Sequence, residues 1–224
     1  MDQASRIIDL YGLPGCGKTT LSSIILSNSK LQAANIKLLM VRFHSENFVV
    51  RLYSVPLLLW ARLSVYFLLS GFFKKNSTDI LKTYYYLALA YRYFRNQHHF
   101  RYLIVDHGMI QQFGSMLHNY DYSTSERKMN KFFHIITSGK NIVYSYCELS
   151  VESSLQRMKN RNRTNGRIDS VMNDFDVAID LLNKEKSLFD SMCKKIGKSG
   201  VKLNMKEETK KVADNLLNAL LLVE

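Results

Sequence analysis

Residues 12–19 combine glycines, a lysine and a threonine at a spacing that could hold a polyphosphate. They read GLPGCGKT and match the pattern G-x-x-x-x-G-K-[ST]. Glycines allow successive backbone N–H groups to point into one concavity, where they can bind an anion. The Lys18 ammonium would reach the β- and γ-phosphates of ATP, and the Thr19 hydroxyl would bind Mg²⁺. The predicted nucleotide-binding residues are Gly12, Pro14, Gly15, Cys16, Gly17, Lys18, Thr19 and Thr20.

An aspartate is predicted as the second Mg²⁺ ligand. Residues 101–105 form an apolar run that predicts a buried strand, and this strand ends in Asp106. In a parallel sheet Asp106 would lie beside Thr19 and hold Mg²⁺ directly or through a water. The alternative is an aspartate that only caps the next helix.

Three arginines could stabilise a phosphoryl group during transfer. Arg157 and Arg161 are four residues apart and share a helix face, and Arg163 follows at the helix end. Like charges so placed repel each other and favour a shared anion. We therefore predict an arginine lid over residues 148–170 that closes on phosphates. The alternative is a solvated basic face.

A carboxylate near the end of the second predicted strand could act as a base. Residues 36–43 predict that strand, and Glu46 follows it, at the edge where parallel sheets bind ligands. If the acceptor is a hydroxyl, Glu46 is the candidate base. If the acceptor is a phosphate, no base is needed and Arg42 or Arg51 would clamp it. Glu46 could equally be an exposed loop residue.

The order of strands and helices predicts one α/β domain over residues 1–224. Apolar runs predict strands at 7–11, 36–43, 101–106, 141–146 and 201–205. Helical periodicity follows the first glycine turn and recurs at 123–137, from Ser150 or Ser153 to Arg163, at 169–192 and at 207–221. Residues 44–100 form a helical acceptor or insertion region within this domain.

Composition indicates a globular protein with an anionic partner. The chain has 224 residues, 46% of them apolar, a net charge of +12 and a pI near 9.6. No nucleic-acid-binding motif accompanies the charge, so a nucleic-acid partner is not expected. Three widely spaced cysteines and the lack of a signal peptide predict a cytoplasmic protein.

Residues 48–100 leave several interpretations open. The stretch 55–73 is strongly apolar, but Arg62 lies near its middle, where a charge in a membrane is costly. Two helices packed over the site explain the pattern most simply. A peripheral contact with a membrane or with another protein through 48–100 is the alternative, and a homodimer is left open.

The motifs at 12–19, Asp106 and Arg157-x-x-x-Arg161-x-Arg163 together resemble the nucleoside and nucleotide kinases, including thymidylate and deoxynucleoside kinases. The resemblance implies a three-layer fold with a five-stranded parallel sheet ordered 2-3-1-4-5 and helices on both faces. It also implies ATP, Mg²⁺ and transfer of the γ-phosphoryl to a small acceptor such as a nucleoside or nucleoside monophosphate. His107 stands where the family often has an arginine.

Three other functions are compatible with the sequence. One is a kinase of another metabolite such as a sugar. A second is an ATP-binding accessory protein docked on a membrane or a membrane-bound complex, and a third is a kinase of polynucleotide ends.

Overall fold

The computed structural model describes the strands and helices that surround the glycine-rich loop. The described ranges are 6–27, 36–39, 102–106, 142–161, 174–197 and 200–221, with Gly108, Ile110, Gln111, Gly114, Ser123, Glu126 and Arg127 between them. The predictions for the helical region 44–100, for Glu46 and for Arg163 lie outside the described residues.

Five parallel strands form one sheet. They are β1 (Arg6–Tyr11), β2 (Ile36–Leu39), β3 (Tyr102–Val105), β4 (Ile142–Glu148) and β5 (Gly200–Asn204). Their order in the sheet is β2-β3-β1-β4-β5, so β1 is central and pairs with β3 on one side and β4 on the other. The predicted α/β class with a parallel sheet is confirmed, and the strand order agrees with the one that the resemblance implies.

Four helices are described: α1 (Lys18–Ser27), α2 (Val151–Asn160), α3 (Phe175–Ile196) and α4 (Thr209–Leu221). Ser150, one of the two predicted N-caps, begins α2 because its hydroxyl accepts from the Ser153 N–H. Helix α3 starts later than the predicted residue 169, since Asp174 is its N-cap and accepts from the Val177 N–H. It also ends four residues later than predicted, where Gly197 adopts a positive φ.

Helices cover both faces of the sheet. On one face Ile8 and Leu10 of β1 pack with α1 and α4 in a fully buried cluster. On the other face the ring of Tyr11 stacks on Tyr146 at 5.2 Å between centroids and meets Phe189 of α3 edge-on. Alternating side chains of β1 therefore serve two cores, and this fixes the central strand from both sides.

The packing brings the carboxyl ends of the central strands to one edge of the sheet. Tyr11 leads directly into the glycine loop, Val105 into Asp106, and Glu148 into α2. Parallel α/β sheets bind ligands at this edge. Among the helices in the part of the chain that the structure describes, none is long and apolar enough to cross a membrane.

Candidate functional site

The glycine loop between β1 and α1 has the backbone that the motif predicts. Gly12, Gly15 and Gly17 adopt φ values of 150°, 78° and 101°, which L side chains rarely adopt. A Cβ on Gly12 would also overlap the Cys147 carbonyl of β4, so two backbones touch at this point. The loop is therefore shaped by positions where only glycine fits.

Thr19 and Asp106 meet at the mouth of this loop. The Thr19 hydroxyl donates to Asp106 Oδ2 at 2.7 Å, and Asp106 is only 1% exposed. Its buried Oδ1 has no hydrogen-bond partner among the described residues. A hydroxyl and a carboxylate with an uncommitted oxygen are the donors that Mg²⁺ prefers, so these two residues fit the metal.

Lys18 is buried against the loop itself. Its Nζ donates to the carbonyls of Gly12 and Leu13 at 2.9 and 3.0 Å and contacts Cys16 Sγ at 3.3 Å. The ammonium is thus bonded to two neutral oxygens of the loop backbone. Phosphate oxygens would be stronger acceptors, because their negative charge adds a Coulomb attraction to the hydrogen bond with the ammonium.

Two buried thiols share a hydrogen bond beneath the loop. Burial raises the pKa of Cys16, but the Cys147 thiol and the Lys18 ammonium outweigh it and lower that pKa to about 6. The hydrogen bond with Cys16, together with burial, raises the pKa of Cys147. The lowered pKa favours the thiolate form of Cys16, and Cys16 faces the same lysine that is predicted to bind phosphate.

Gln111 supports the start of the loop from the segment that follows Asp106. Its buried Oε1 accepts the Gly12 N–H at 2.9 Å. Gln111 thus joins the segment after Asp106 to the backbone of the loop.

Helix α2 supports the outer side of the loop through two side chains. The Ser154 hydroxyl donates to the Pro14 carbonyl. The Arg157 guanidinium donates to the Cys16 carbonyl at 3.2 Å and to the Met205 carbonyl, just after β5, at 2.9 Å. The i and i+3 spacing of Ser154 and Arg157 places both on one helix face, which is the face that meets the loop.

The structure thus brings together many of the predicted site residues. The loop residues 12–20 are contacted by Asp106, which accepts from Thr19, and by Arg157, which donates to the Cys16 carbonyl. Arg161 is the C-cap of α2, and its backbone N–H donates to the Met158 carbonyl. Arg157 bonds backbone carbonyls here, and its contact with a moving phosphoryl group stays a prediction, as do the roles of Arg161, Arg163 and Glu46.

The residues that sequence reasoning did not assign to the loop are Gln111 and Ser154. Both act on its backbone, and no motif marks such a role. A polar residue at a buried helical position was the available signal, because a buried amide or hydroxyl needs a partner.

We predict that Gln111→Leu destabilises the protein by about 1–3 kcal/mol, because it leaves the buried Gly12 N–H without an acceptor. Urea unfolding measures the change. Gln156→Leu is the matched control, since Gln156 is exposed on α2 and the same substitution there should change stability by about 0.5 kcal/mol or less. Equal effects of the two substitutions would contradict the role given to Gln111.

Comparison with solved structures identifies the fold. Three structures of deoxyadenosine kinase from M. mycoides each match 96% of this chain and 98% of their own, with a TM-score of 0.55. The identity is 14% for the structure with the products dCMP and dCDP, 15% for that with bound dATP and 14% for that with bound dCTP. No protein-family model and no curated protein matches the sequence. The likeness confirms the predicted resemblance at the level of structure: this chain has the fold of the P-loop nucleoside kinases.

Proposed function

We propose that this protein is an ATP-dependent kinase that transfers the γ-phosphoryl group to a small acceptor, a nucleoside or a nucleoside monophosphate. The observation that carries the proposal is the 2.7 Å hydrogen bond between Thr19 and the buried Asp106 at the mouth of the glycine loop. A glycine loop alone could bind many anions. A hydroxyl and a carboxylate paired beside it add the ligand set of a nucleotide-bound Mg²⁺.

Binding of the polyphosphate would be divided among the loop amides, Lys18 and the metal ligands. The loop N–H groups and the start of α1 offer a positive field to the phosphates. Lys18 would exchange a backbone carbonyl for a phosphate oxygen. Mg²⁺, when bound, would neutralise charge on the β- and γ-phosphates, held by Thr19 and Asp106.

Most of the catalysis would come from positioning and charge stabilisation. Arg161 and Arg163, with Arg157 at their base, would close on the moving phosphoryl group. Glu46 would take the proton of a hydroxyl acceptor. The catalytic roles of the three arginines and of Glu46 are proposed from the sequence pattern.

The class of acceptor is proposed from the solved structures of similar fold. One of the M. mycoides deoxyadenosine kinase structures holds the product dCMP, a phosphorylated nucleoside. A nucleoside acceptor is therefore the first choice and a nucleoside monophosphate the second. This protein would act in the cytoplasm, and its partner would be the acceptor itself.

The test is ATP consumption by the purified protein with Mg²⁺, screened across nucleosides, nucleoside monophosphates and sugars. We expect turnover with one of the nucleoside classes. Lys18→Ala should lower it by at least about 100-fold, because the variant loses the charge aimed at the phosphates. Lys194→Ala, an exposed lysine on α3, should leave it unchanged.

Two results would contradict the proposal. One is retained turnover in Lys18→Ala, which would mean that another site consumes ATP. The other is turnover with sugars alone. That result would leave ATP as the phosphoryl donor but would show that the acceptor is not a nucleoside or a nucleoside monophosphate.

The lowered pKa of Cys16 predicts that nucleotide binding depends on pH. In the free protein the pKa of Cys16 is lowered to about 6, in part by Lys18. Recruiting Lys18 to phosphate removes that charge, so the pKa of Cys16 rises and binding takes up a proton. Affinity for Mg²⁺ and a non-hydrolysable ATP analogue should therefore fall as pH rises from about 6.5 to about 8.5, by up to about tenfold per pH unit.

Cys16→Ser should remove most of this slope and bind more tightly than the unmodified protein at the upper pH. Calorimetric titration at several pH values measures both. Cys193→Ser is the control, because burial raises the pKa of Cys193, so this thiol stays protonated over that pH range and its loss should keep the slope. A slope shared equally by all three proteins would show that Cys16 is not the group that titrates.

A further inference from the structure

A buried carboxylate lies in the middle of the central strand. Asp9 of β1 is 1% exposed and is the Cα partner of Val105 in β3 and Tyr144 in β4. Strand alternation places it on the face of the sheet that carries Tyr11. Burial raises the pKa of Tyr144, and the Asp9 charge raises it further, so that ring lies close to the carboxylate. A buried carboxylate is costly unless it is hydrogen-bonded, so the groups that pack against Asp9 matter for the structure of this edge.

The Asp9 carboxylate lies directly against Gly108. A Cβ built on Gly108 would overlap Oδ1, Cγ and Oδ2 of Asp9 at once. Gly108 is itself buried, and no φ in the left-handed region requires glycine there. The space taken by the carboxylate is therefore the reason that residue 108 has no side chain.

Asp9 thus contacts both ends of the turn that carries Asp106. Val105, just before Asp106, is its partner in the sheet, and Gly108, two residues after Asp106, rests on its side chain. Further along, Gln111 accepts the Gly12 N–H. Val105, Gly108 and Gln111 are therefore each held against β1 or the loop, and Asp106 lies between the first two.

We propose that Asp9 is a positioning residue. Its carboxylate packs against Gly108 and thereby holds Asp106 opposite Thr19, where Asp106 can bind the metal. The inference rests on the proposed function, because it takes Asp106 as a ligand of a nucleotide-bound Mg²⁺. Groups that orient a metal ligand typically change metal affinity by about 10–100-fold when they are removed.

The experiment measures metal binding without turnover. Mn²⁺ replaces Mg²⁺, and its affinity for the protein–ADP complex is followed by electron paramagnetic resonance. We expect Gly108→Ala to weaken Mn²⁺ by at least about 10-fold while ADP binding without metal changes by less than about 3-fold. Asp9→Ala should weaken Mn²⁺ similarly, whereas Asp9→Asn, which keeps the shape of the side chain, should stay within about 3-fold of the unmodified protein.

The double variant Asp9→Ala with Gly108→Ala is the decisive arm. Removing the carboxylate removes the three atoms nearest to the new Cβ, so this variant should bind Mn²⁺ more tightly than Gly108→Ala alone. If Gly108→Ala fails to fold, recovery of folding in the double variant supports the contact in the same way. Asp176→Ala is the control for the loss of a carboxylate, because Asp176 is exposed on α3 and its removal should not change Mn²⁺ affinity.

Three outcomes would overturn the inference. Unchanged Mn²⁺ affinity in Asp9→Ala would show that the carboxylate positions nothing. If the double variant binds Mn²⁺ no more tightly than Gly108→Ala, the two residues do not act through their contact. If the unmodified protein with ADP binds no Mn²⁺, the proposed function itself fails and the inference fails with it.

Discussion

A loop that turns its amides inward leaves carbonyls that need donors, and this constraint organises the structure around residues 12–19. The described structure supplies a donor to each of four loop carbonyls. Lys18 donates to the carbonyls of Gly12 and Leu13. Ser154 donates to the carbonyl of Pro14, and Arg157 donates to that of Cys16. A buried carbonyl without a partner costs about 1–3 kcal/mol, so the loop conformation depends on these side chains as much as on its glycines.

The same constraint explains how α2 packs. Its buried residues Val151, Leu155 and Met158 cover the core, while Ser154 and Arg157 turn toward the loop and the Met205 carbonyl. Gly15 permits this approach, because a Cβ there would come within 3.2 Å of Met158 and of the Ser154 carbonyl. Helix α2, which belongs to the predicted arginine lid, thus also packs against the loop.

Local patterns predicted the parts of this site that depend on one stretch of chain. The glycine motif, the strand that ends in Asp106 and a helix cap at Ser150 or Ser153 follow from periodicity and spacing. The structure has the first two and decides for Ser150 as the cap. The partners of Gln111, Ser154 and Arg157 lie 99, 140 and 141 residues away along the chain. No local pattern encodes a pairing at that distance. An arginine face predicts that an anion or a carbonyl is near, and only tertiary packing decides which of them it meets.

Lys18 makes phosphate binding an exchange of partners. In the described structure its ammonium donates to two loop carbonyls and to Cys16 Sγ. An ATP that draws the ammonium away gains a bond between opposite charges, yet the Gly12 carbonyl and Cys16 Sγ each lose a donor, while the Leu13 carbonyl keeps the Cys16 N–H. Its net gain is therefore smaller than the strength of the new bond. The loop backbone meets no such cost, since glycines at positive φ and the bond from the Gly12 N–H to Gln111 already fix its conformation. Affinity for the polyphosphate should thus come mainly from the preorganised backbone, and the contribution of Lys18 should be greatest where negative charge increases during transfer.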